Sequence, residues 1–409
     1  MLATLIPLFD EALAVSGYSL FAQKKNNLLT PSLLGTGGND GAGVVAGLEI
    51  VNTIGGEAIS RGKNIFVPLN NMSIFSDIEE QCGIVPHKSI ALLLDNSIQP
   101  DTMYINRIKE LKAAGYTLAI RKLSIPDFEP YREILSLMDY IILDYKKIAN
   151  IDAAKIYFGK VYPNIKLVAG NLDSMDAYEE LVETGGYTLY EGEFYRLPVT
   201  KGDTSVSPLK ANYIELLNVV NKPDFELTTA ADVIGRDTAL VIDLLKMVNR
   251  IAINSEITSI RHAAAMLGQR ELKKWINTAV ANQLCADRPN EITRLSLIRA
   301  KFCENLAKIF EMADKDNELF LVGLFSLIDL ILNQTMEEAL KLVYLPKDIL
   351  TALTTGDNKM ATVLNFVKAY EQANWAEASR VMVLENIDDN VVYEAYIDAL
   401  NWYSKMFAK

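Results

Sequence analysis

The sequence predicts an α/β TIM-like barrel followed by an all-α helical domain. In the first half, short apolar strand candidates recur every 21 to 28 residues after the first of them, with helix-period segments between them. In the second half the helix period dominates, and no strand pattern of useful length is visible. The 409 residues suffice for two or three domains, and we place the boundary between residues 1–203 and 204–409.

The strands of the barrel are predicted from apolar runs that begin near Gly17, Asn64, Ser89, Thr117, Tyr140, Lys166 and Tyr187. Strands that are apolar throughout are typical of a parallel sheet covered by helices on both faces. Between two of them, residues 101–114 place Ile105, Ile108 and Leu111 on one helix face. Seven such strands and an extra N-terminal hairpin strand, TLIPLFD, predict a closed barrel.

The helical half is predicted to begin near residues 202–208. In NEITRLSLIRAKFCENLAKIFEMA the apolar residues step by three and four, as on one face of a helix. Asp237 precedes a helix as its N-cap, and Gly268 follows one as its C-cap. The run LFLVGLFSLIDLIL at 319–332 contains Asp329 and is too short to cross a bilayer, so it predicts a core helix.

Charge and composition limit the classes of partner. The net charge is −12 and the pI is near 4.9, so the surface repels phosphate backbones. We therefore expect no nucleic-acid partner and no membrane insertion. Three cysteines without paired spacing, Cys82, Cys285 and Cys303, fit a reducing compartment. Because Asp10 and Glu11 come too early for a signal peptide, we expect a cytoplasmic protein.

Two families resemble the two halves. The first half resembles the EAL domain, a barrel that hydrolyses cyclic di-GMP: GYSLFAQ lies where that family has E-x-L-x-R, DYIILDYKKI where it has I-K-x-D, and YTLYEGEFYRLP where it has Q-G-x-x-x-x-x-P. The second half resembles HDOD, a metal-free relative of the HD-GYP hydrolases, in GRDTALVIDLLKMVN, ITSIRHAAAMLG and RAKFCENLA. The resemblance implies a two-domain EAL-HDOD signalling protein.

The EAL resemblance points to a pocket at the mouth of the barrel, but most of its functional residues are replaced. The family's glutamate, arginine and asparagine fall on Ser19, Gln23 and Pro68, and its next glutamate falls on Asp95. The paired aspartates fall on Arg121 and Lys122, and the lysine and aspartate of I-K-x-D fall on Ile142 and Asp144. A glutamate pair falls on Gly170 and Asp173, and the final glutamine falls on Glu191.

The replacements change the chemistry of the pocket. Hydrolysis by two divalent ions needs carboxylates that hold the ions and activate a water, and two cations at such positions oppose metal binding. We therefore expect a salt-bridge plug, with Asp95 and Asp144 as the partners of Arg121. The alternative is a weak cation site formed by Asp95, Asp144, Asp173 and Glu191. In the helical half, a metal site of the HD type needs several histidines, and the chain has only His87 and His262.

The residues therefore favour a non-catalytic signalling or scaffold protein that acts through protein partners, without a cofactor or metal. The alternative is a sensor that binds cyclic di-GMP or another anion without hydrolysis, and an active phosphodiesterase is a third hypothesis. The stretch GTGGNDGAG at 35–43 lacks the Gly-Lys-Ser/Thr ending of a phosphate-binding loop, so we interpret it as a loop. The sequence does not identify the partner and does not decide whether the protein forms a homodimer.

Overall fold

The structure is a computed structural model that describes residues 2–23, 45–55, 62–83, 85–148, 150–198, 208–251, 257–284 and 290–406. The glycine-rich stretch at 35–43 and Cys285 lie outside the described residues. Cys82 and Cys303 are buried, and no disulfide joins them.

The first half is a closed barrel, which confirms the predicted fold class. Its strands are β1 (Leu2–Phe9), β2 (Val15–Gln23), β3 (Asn64–Leu69), β4 (Ile90–Leu94), β5 (Thr117–Ile120), β6 (Tyr140–Asp144), β7 (Lys166–Leu172) and β8 (Leu189–Gly192). Strand β1 is antiparallel to both β2 and β8, and every other neighbouring pair is parallel. The parallel strands therefore end together at one mouth of the barrel.

A layer of apolar side chains fills the barrel. These side chains form one buried cluster: Leu8, Phe66, Ala91, Leu93, Ala119, Tyr140, Ile142, Val168 and Leu189. Within each strand the members alternate with residues that face outward, as the two-residue period of a strand requires. Any residue that lies two positions beyond one of them toward the mouth therefore points into the same interior.

Helices cover the outside of the barrel. They are α1 (Ala46–Ile54), α2 (Ile78–Cys82), α3 (Thr102–Ala113), α4 (Arg132–Leu135), α5 (Ile151–Val161) and α6 (Met175–Thr184). Helix α3 begins where the Asp101 carboxylate accepts hydrogen bonds from the N–H groups of Met103 and Tyr104. Its predicted apolar face, Ile105, Ile108 and Leu111, is buried against the barrel.

The second half is helical. Its helices are α7 (Pro208–Asn221), α8 (Leu227–Ile234), α9 (Thr238–Ile251), α10 (Ile260–Leu284), α11 (Asn290–Leu306), α12 (Asp316–Phe325), α13 (Ile328–Leu332), α14 (Met336–Leu342), α15 (Lys347–Leu353), α16 (Lys359–Glu371), α17 (Trp375–Leu384) and α18 (Asp389–Met406). The Asp237 carboxylate caps α9 by accepting from the N–H groups of Ala239 and Leu240, as predicted. Gly268 has a φ of +72° and interrupts α10, which confirms a helix end there.

The apolar run at 319–332 differs from the single core helix that the sequence predicts. It is divided between α12 and α13, because the chain leaves the helical conformation at Leu327, whose φ and ψ are −125° and 18°. Both pieces are buried, and the Asp329 carboxylate lies among them with only 4% of the residue exposed. Among the described residues, no helix has the length and hydrophobicity that a membrane span requires.

The chain packs as two compact units. One comprises Met1–Leu197, Lys308–Ala313 and Asn365–Lys409, and the other comprises Pro198–Ala307 and Asp314–Leu364. We refer to them as the barrel unit and the helical unit. The C-terminal segment therefore packs with the barrel, although it follows the helical half in sequence. A domain boundary at 203/204 stays a prediction of the sequence.

Contacts with β1 hold the C-terminal segment in the barrel unit. The backbone N–H of Ala3 donates to the Tyr370 hydroxyl at 3.1 Å, and the Thr4 hydroxyl donates to the carbonyl of Glu371 at 3.4 Å. Helix α18 packs against β1. Leu2 of β1 pairs with Gln23 at the end of β2, so this part of β1 lies at the mouth. The C-terminal helices thus contact the rim that surrounds the candidate site.

Candidate functional site

The candidate site is the inner surface of the barrel mouth. Five of its residues lie two positions beyond members of the inner apolar layer, on successive strands: Asp95, Arg121, Asp144, Gly170 and Glu191. The period of a strand directs all five positions into the barrel interior. The structure therefore brings together most of the residues that the sequence predicted, as a polar layer above an apolar one.

Arg121 forms an ion pair inside the barrel with Glu191. Its Nη2 lies 3.6 Å from Oε1 of Glu191, and the two side chains are 23% and 6% exposed. The guanidinium carbon also lies 5.3 Å from the centre of the Phe21 ring, a cation–π contact. The expectation that Asp95 or Asp144 would be the partner of Arg121 is wrong, because the inward-pointing side chain meets β8 and β2.

Lys122 pairs with Asp95 instead. Lys122 has a φ of +63°, and its Nζ donates to Oδ2 of Asp95 at 2.8 Å. The Ser97 hydroxyl and N–H donate to Oδ1 of the same carboxylate at 2.6 and 3.0 Å. Burial acts to raise the pKa of Asp95, but the hydrogen bonds from Lys122 and Ser97 outweigh it and lower that pKa. The carboxylate is therefore ionised and fully engaged.

Asp144 and Asp173 pair with lysines of the loop that follows β6. Oδ1 of Asp144 accepts from the backbone N–H groups of Lys146 and Lys147, at 3.1 and 3.2 Å, and from Nδ2 of Asn171 at 3.2 Å. Nζ of Lys147 lies 3.7 Å from Oδ2 of Asp144, and Nζ of Lys146 lies 3.1 Å from Oδ2 of Asp173. The last pair is about half exposed. Asp173 thus belongs to the outer rim.

The remaining predicted positions are two polar residues of β2, Ser19 and Gln23, and two residues without a polar side chain, Pro68 and Gly170. Ser19 is fully buried in β2, Gln23 is half-buried at the end of that strand, and Pro68 pairs with Leu93 in the sheet. A Cβ added at Gly170 would lie 2.6 Å from Cγ2 of Ile142. Ile142 therefore fills the space that a side chain at 170 would need. Pro68 and Gly170 have no side-chain oxygen that could reach a ligand.

Within the described part of the chain, some buried donor and acceptor atoms of the polar layer have no hydrogen-bond partner. Three buried atoms at the mouth have no hydrogen-bond partner among the described residues: Oγ of Ser19, Nη1 of Arg121 and Oε2 of Glu191. Unpaired buried polar atoms are uncommon in folded proteins, and such sites often hold ordered water. The layer thus contains both an unpaired donor and unpaired acceptors inside the barrel.

The residues of the mouth do not fit a pair of divalent ions. Asp95 is engaged by Lys122, Glu191 lies beside Arg121, and Asp144 is held by backbone N–H groups and Asn171. Among the described residues, no group of three or more His, Cys, Asp or Glu side chains could hold a metal ion. The carboxylates at the mouth are therefore engaged in ion pairs and hydrogen bonds.

The described residues of the helical unit offer no HD-type set of several histidine ligands either. His262 is exposed on α10, whereas His87 belongs to the barrel unit and stacks on Tyr116 with ring centres 4.4 Å apart. In the core of the helical unit the Arg299 guanidinium donates to the Ser326 hydroxyl at 2.8 Å, and both residues are buried. The chain has only these two histidines, so they cannot form a metal centre of several histidines.

The sequence did not single out three residues that shape the mouth: Phe21, Ser97 and Asn171. Phe21 could have been found, because it lies two positions after Ser19 and so shares its inner face. Asn171 has a φ of +64°, which turns its amide toward Asp144. Neither this backbone conformation nor the Ser97 contact has a signal in the sequence.

Comparison with known protein families identifies a domain in the helical half. The HDOD domain family matches residues 206–349. Those residues are an HDOD domain. The HDOD domain extends from the start of the helical half into α15, so α16 to α18 lie beyond it.

Two relatives align with most of the chain. The uncharacterized protein YuxH of Bacillus subtilis is 29% identical over 357 residues, which cover 85% of this chain and 86% of YuxH. The cyclic di-GMP phosphodiesterase CdgJ of Vibrio cholerae is 25% identical over 324 residues, which cover 78% of this chain and 74% of CdgJ. The barrel, the HDOD domain and these relatives fit a two-domain EAL-HDOD protein.

Among solved structures, the EAL enzyme Bd1971 bound to cAMP and cyclic di-GMP aligns with a TM-score of 0.35 and 11% identity. The alignment covers 46% of this chain, which spans 60% of the length of that structure.

Proposed function

We propose that this protein is a non-catalytic signalling or scaffold protein of cyclic di-GMP pathways, which acts in the cytoplasm through contacts with protein partners. The observation that carries the proposal is the pairing of Arg121 with Glu191 and of Lys122 with Asp95 at the barrel mouth. The connection to cyclic di-GMP rests on the EAL-HDOD organisation and on the relative CdgJ.

The electrostatics of the mouth support a loss of catalysis. If two carboxylates of a metal site are replaced by two cations, the local charge changes by about four units. A single cation about 6 Å from a divalent ion is repelled by about 5 kcal/mol at an effective dielectric constant near 20. The remaining carboxylates would attract such an ion, but each already has a hydrogen-bond donor or a cation beside it, which weakens its contribution.

The proposal is tested with the purified full chain, magnesium or manganese, and cyclic di-GMP. We expect no hydrolysis above a control without enzyme. Turnover that disappears in Asp144→Ala but persists in Asp152→Ala, an exposed carboxylate on α5, would establish an active enzyme and contradict the proposal. The Asp152 variant controls for the loss of one surface charge.

A second candidate function is a sensor that binds cyclic di-GMP or another anion without hydrolysis. The buried Nη1 of Arg121 favours it, because this N–H group has no acceptor among the described residues. The adjacent Glu191 carboxylate opposes it by repelling an anion. Calorimetry separates the two functions: a scaffold shows no cyclic di-GMP binding tighter than about 10 µM, whereas a sensor forms a salt-sensitive complex that is lost in Arg121→Ala.

A further inference from the structure

The helical unit contains a cleft that is separate from the barrel mouth. Its volume is about 460 Å³, and it lies between the end of α7, the second part of α10 and the start of α12. Clefts of roughly 300 to 1,000 Å³ are typical of small-molecule sites. All of its lining residues belong to the helical unit, so the cleft exists within one compact body.

One wall of the cleft is cationic. Arg270, Lys273 and Lys274 follow one another on α10 at spacings that place them on one helix face. Lys222, just after α7, lines the cleft as well. Two acidic residues, Asp314 and Glu318, also line it, so the charged lining groups have an excess of two positive charges (four cations less two carboxylates). Two carboxylates outside the lining, Asp316 and Glu304, pair with Arg270 and Lys274 and offset this excess.

Lys273 differs from its two neighbours because it lacks a partner in this wall. Arg270 donates to Asp316 at 2.6 Å and Lys274 donates to Glu304 at 2.5 Å. Among the described residues, no carboxylate forms an ion pair with the Lys273 ammonium. Glu318 attracts it from a greater distance but lies 3.3 Å from Nζ of Lys315.

Burial makes the Lys273 ammonium receptive to an anion. The side chain is half-buried, and burial lowers the pKa of its amine. A partly desolvated ammonium without an acceptor is unfavourable, and an oxyanion in the cleft would supply the missing hydrogen bonds. Such a bond would be charge-assisted and shielded from bulk water on one side.

The rest of the cleft suits an apolar or planar group. Phe225 and Phe320 line it and are 7% and 2% exposed, and Nζ of Lys274 lies 6.0 Å from the centre of the Phe320 ring. Gln269 is fixed by donating from its side-chain amide to the carbonyl of Phe225 at 2.8 Å. Aromatic edges beside cations are a common environment for ligands that join a ring to an acidic group.

We propose that this cleft of the HDOD domain binds a small molecule that joins a phosphate or carboxylate group to an aromatic or planar part, with Lys273 contacting the oxyanion. The cleft provides binding groups and no pair of residues arranged for acid–base or nucleophilic chemistry among the residues that line it. It is therefore a site for binding such a molecule and not for chemical turnover of it.

Phenyl phosphate is the probe, titrated into the full chain by calorimetry. We expect saturable binding that weakens at least about tenfold in Lys273→Met, as loss of a charge-assisted hydrogen bond implies. The control is Lys341→Met, which removes an exposed lysine that pairs with Glu337 outside the cleft and should leave binding unchanged. Inorganic phosphate should bind more weakly than phenyl phosphate because it lacks the ring.

Two further measurements keep the proposal falsifiable. Lys273→Arg retains the cation and should retain binding. The thermal unfolding midpoints of Lys273→Arg and Lys273→Met, compared with that of the unaltered chain, report whether each variant still folds. Benzoate in place of phenyl phosphate distinguishes a carboxylate ligand from a phosphate ligand. Absence of saturable binding of both probes up to about 10 mM, or equal binding by Lys273→Met and the unaltered chain, would overturn the proposal.

Discussion

Glu191 lies 3.6 Å from Arg121 inside the barrel, and only 6% of its side chain is exposed. Arg121 therefore serves as the counter-ion of Glu191 on β8, the strand that pairs with β1 and β7. It is not the counter-ion of Asp95, which directly follows the neighbouring strand β4. Such a pair stabilises little in total, because desolvation of both charges offsets their attraction, but removal of one partner is unfavourable.

Removal of the Arg121 charge should therefore destabilise the barrel. We expect Arg121→Met to lower the free energy of unfolding by about 2–4 kcal/mol, because Glu191 is left buried without a counter-ion. The double variant Arg121→Met, Glu191→Leu should recover most of that loss. Urea unfolding of the unaltered chain, of Arg121→Met and Glu191→Leu singly, and of the double variant completes the double-mutant cycle. Arg132→Met removes an exposed arginine, paired with Glu129 at 3.6 Å, and should change stability by less than about 0.5 kcal/mol. Equal losses of stability in Arg121→Met and in the control Arg132→Met would contradict the pairing.

The Lys122–Asp95 pair should make a pH-dependent contribution to the free energy of unfolding. The pKa of Asp95 lies below its ordinary value of 3.8 in the folded protein. Between these two pKa values the unfolded chain binds more protons, so the stabilisation is present above about pH 4 and is lost as the pH falls through the folded pKa. Since Lys122 is 56% exposed, Lys122→Met should cost at most about 1 kcal/mol at pH 7. The difference between Lys122→Met and the unaltered chain, measured by urea unfolding at decreasing pH, should vanish in acid. A difference that grows in acid would show that Asp95 is not the partner.

Gly170 should tolerate no side chain in the present barrel. A methyl group there lies 2.6 Å from Cγ2 of Ile142, so Gly170→Ala should lower stability by about 1–3 kcal/mol through overpacking. The same change should cost less in an Ile142→Ala background, where the clash is absent. Gly159→Ala is the matched control, because no heavy atom lies within 4 Å of its added Cβ and it lies in α5, where alanine stabilises by up to about 1 kcal/mol. Equal effects at both glycines would contradict this packing.

Tyr370 should matter to the barrel although it lies far from β1 in sequence. Its hydroxyl accepts from the Ala3 N–H inside the barrel unit, and burial holds the pKa of this phenol well above its ordinary value. Tyr370→Phe leaves that N–H without its partner and should cost about 1–3 kcal/mol in thermal or urea unfolding. Tyr344→Phe alters a tyrosine that is 48% exposed and should have little effect. If Tyr370→Phe is also neutral, the C-terminal segment does not support β1 in solution.

The sequence by itself determined the elements and their faces. The apolar runs predicted the barrel strands, and capping at Asp237 and the break at Gly268 marked helix ends as the structure has them. It also placed two cations at the end of β5. These features depend on neighbouring residues and on the two- and 3.6-residue periods, so they can be read locally.

Only the tertiary structure decided which charges meet and where the last helices pack. The tilt of strands around a closed barrel sets which side chains face one another across its interior, so Arg121 reaches Glu191 whereas Lys122 turns to Asp95. Likewise, residues 365–409 pack with the barrel because contacts such as Ala3 to Tyr370 join positions more than 360 residues apart. Local periodicity carries no information on such pairings, since they depend on how the whole chain closes.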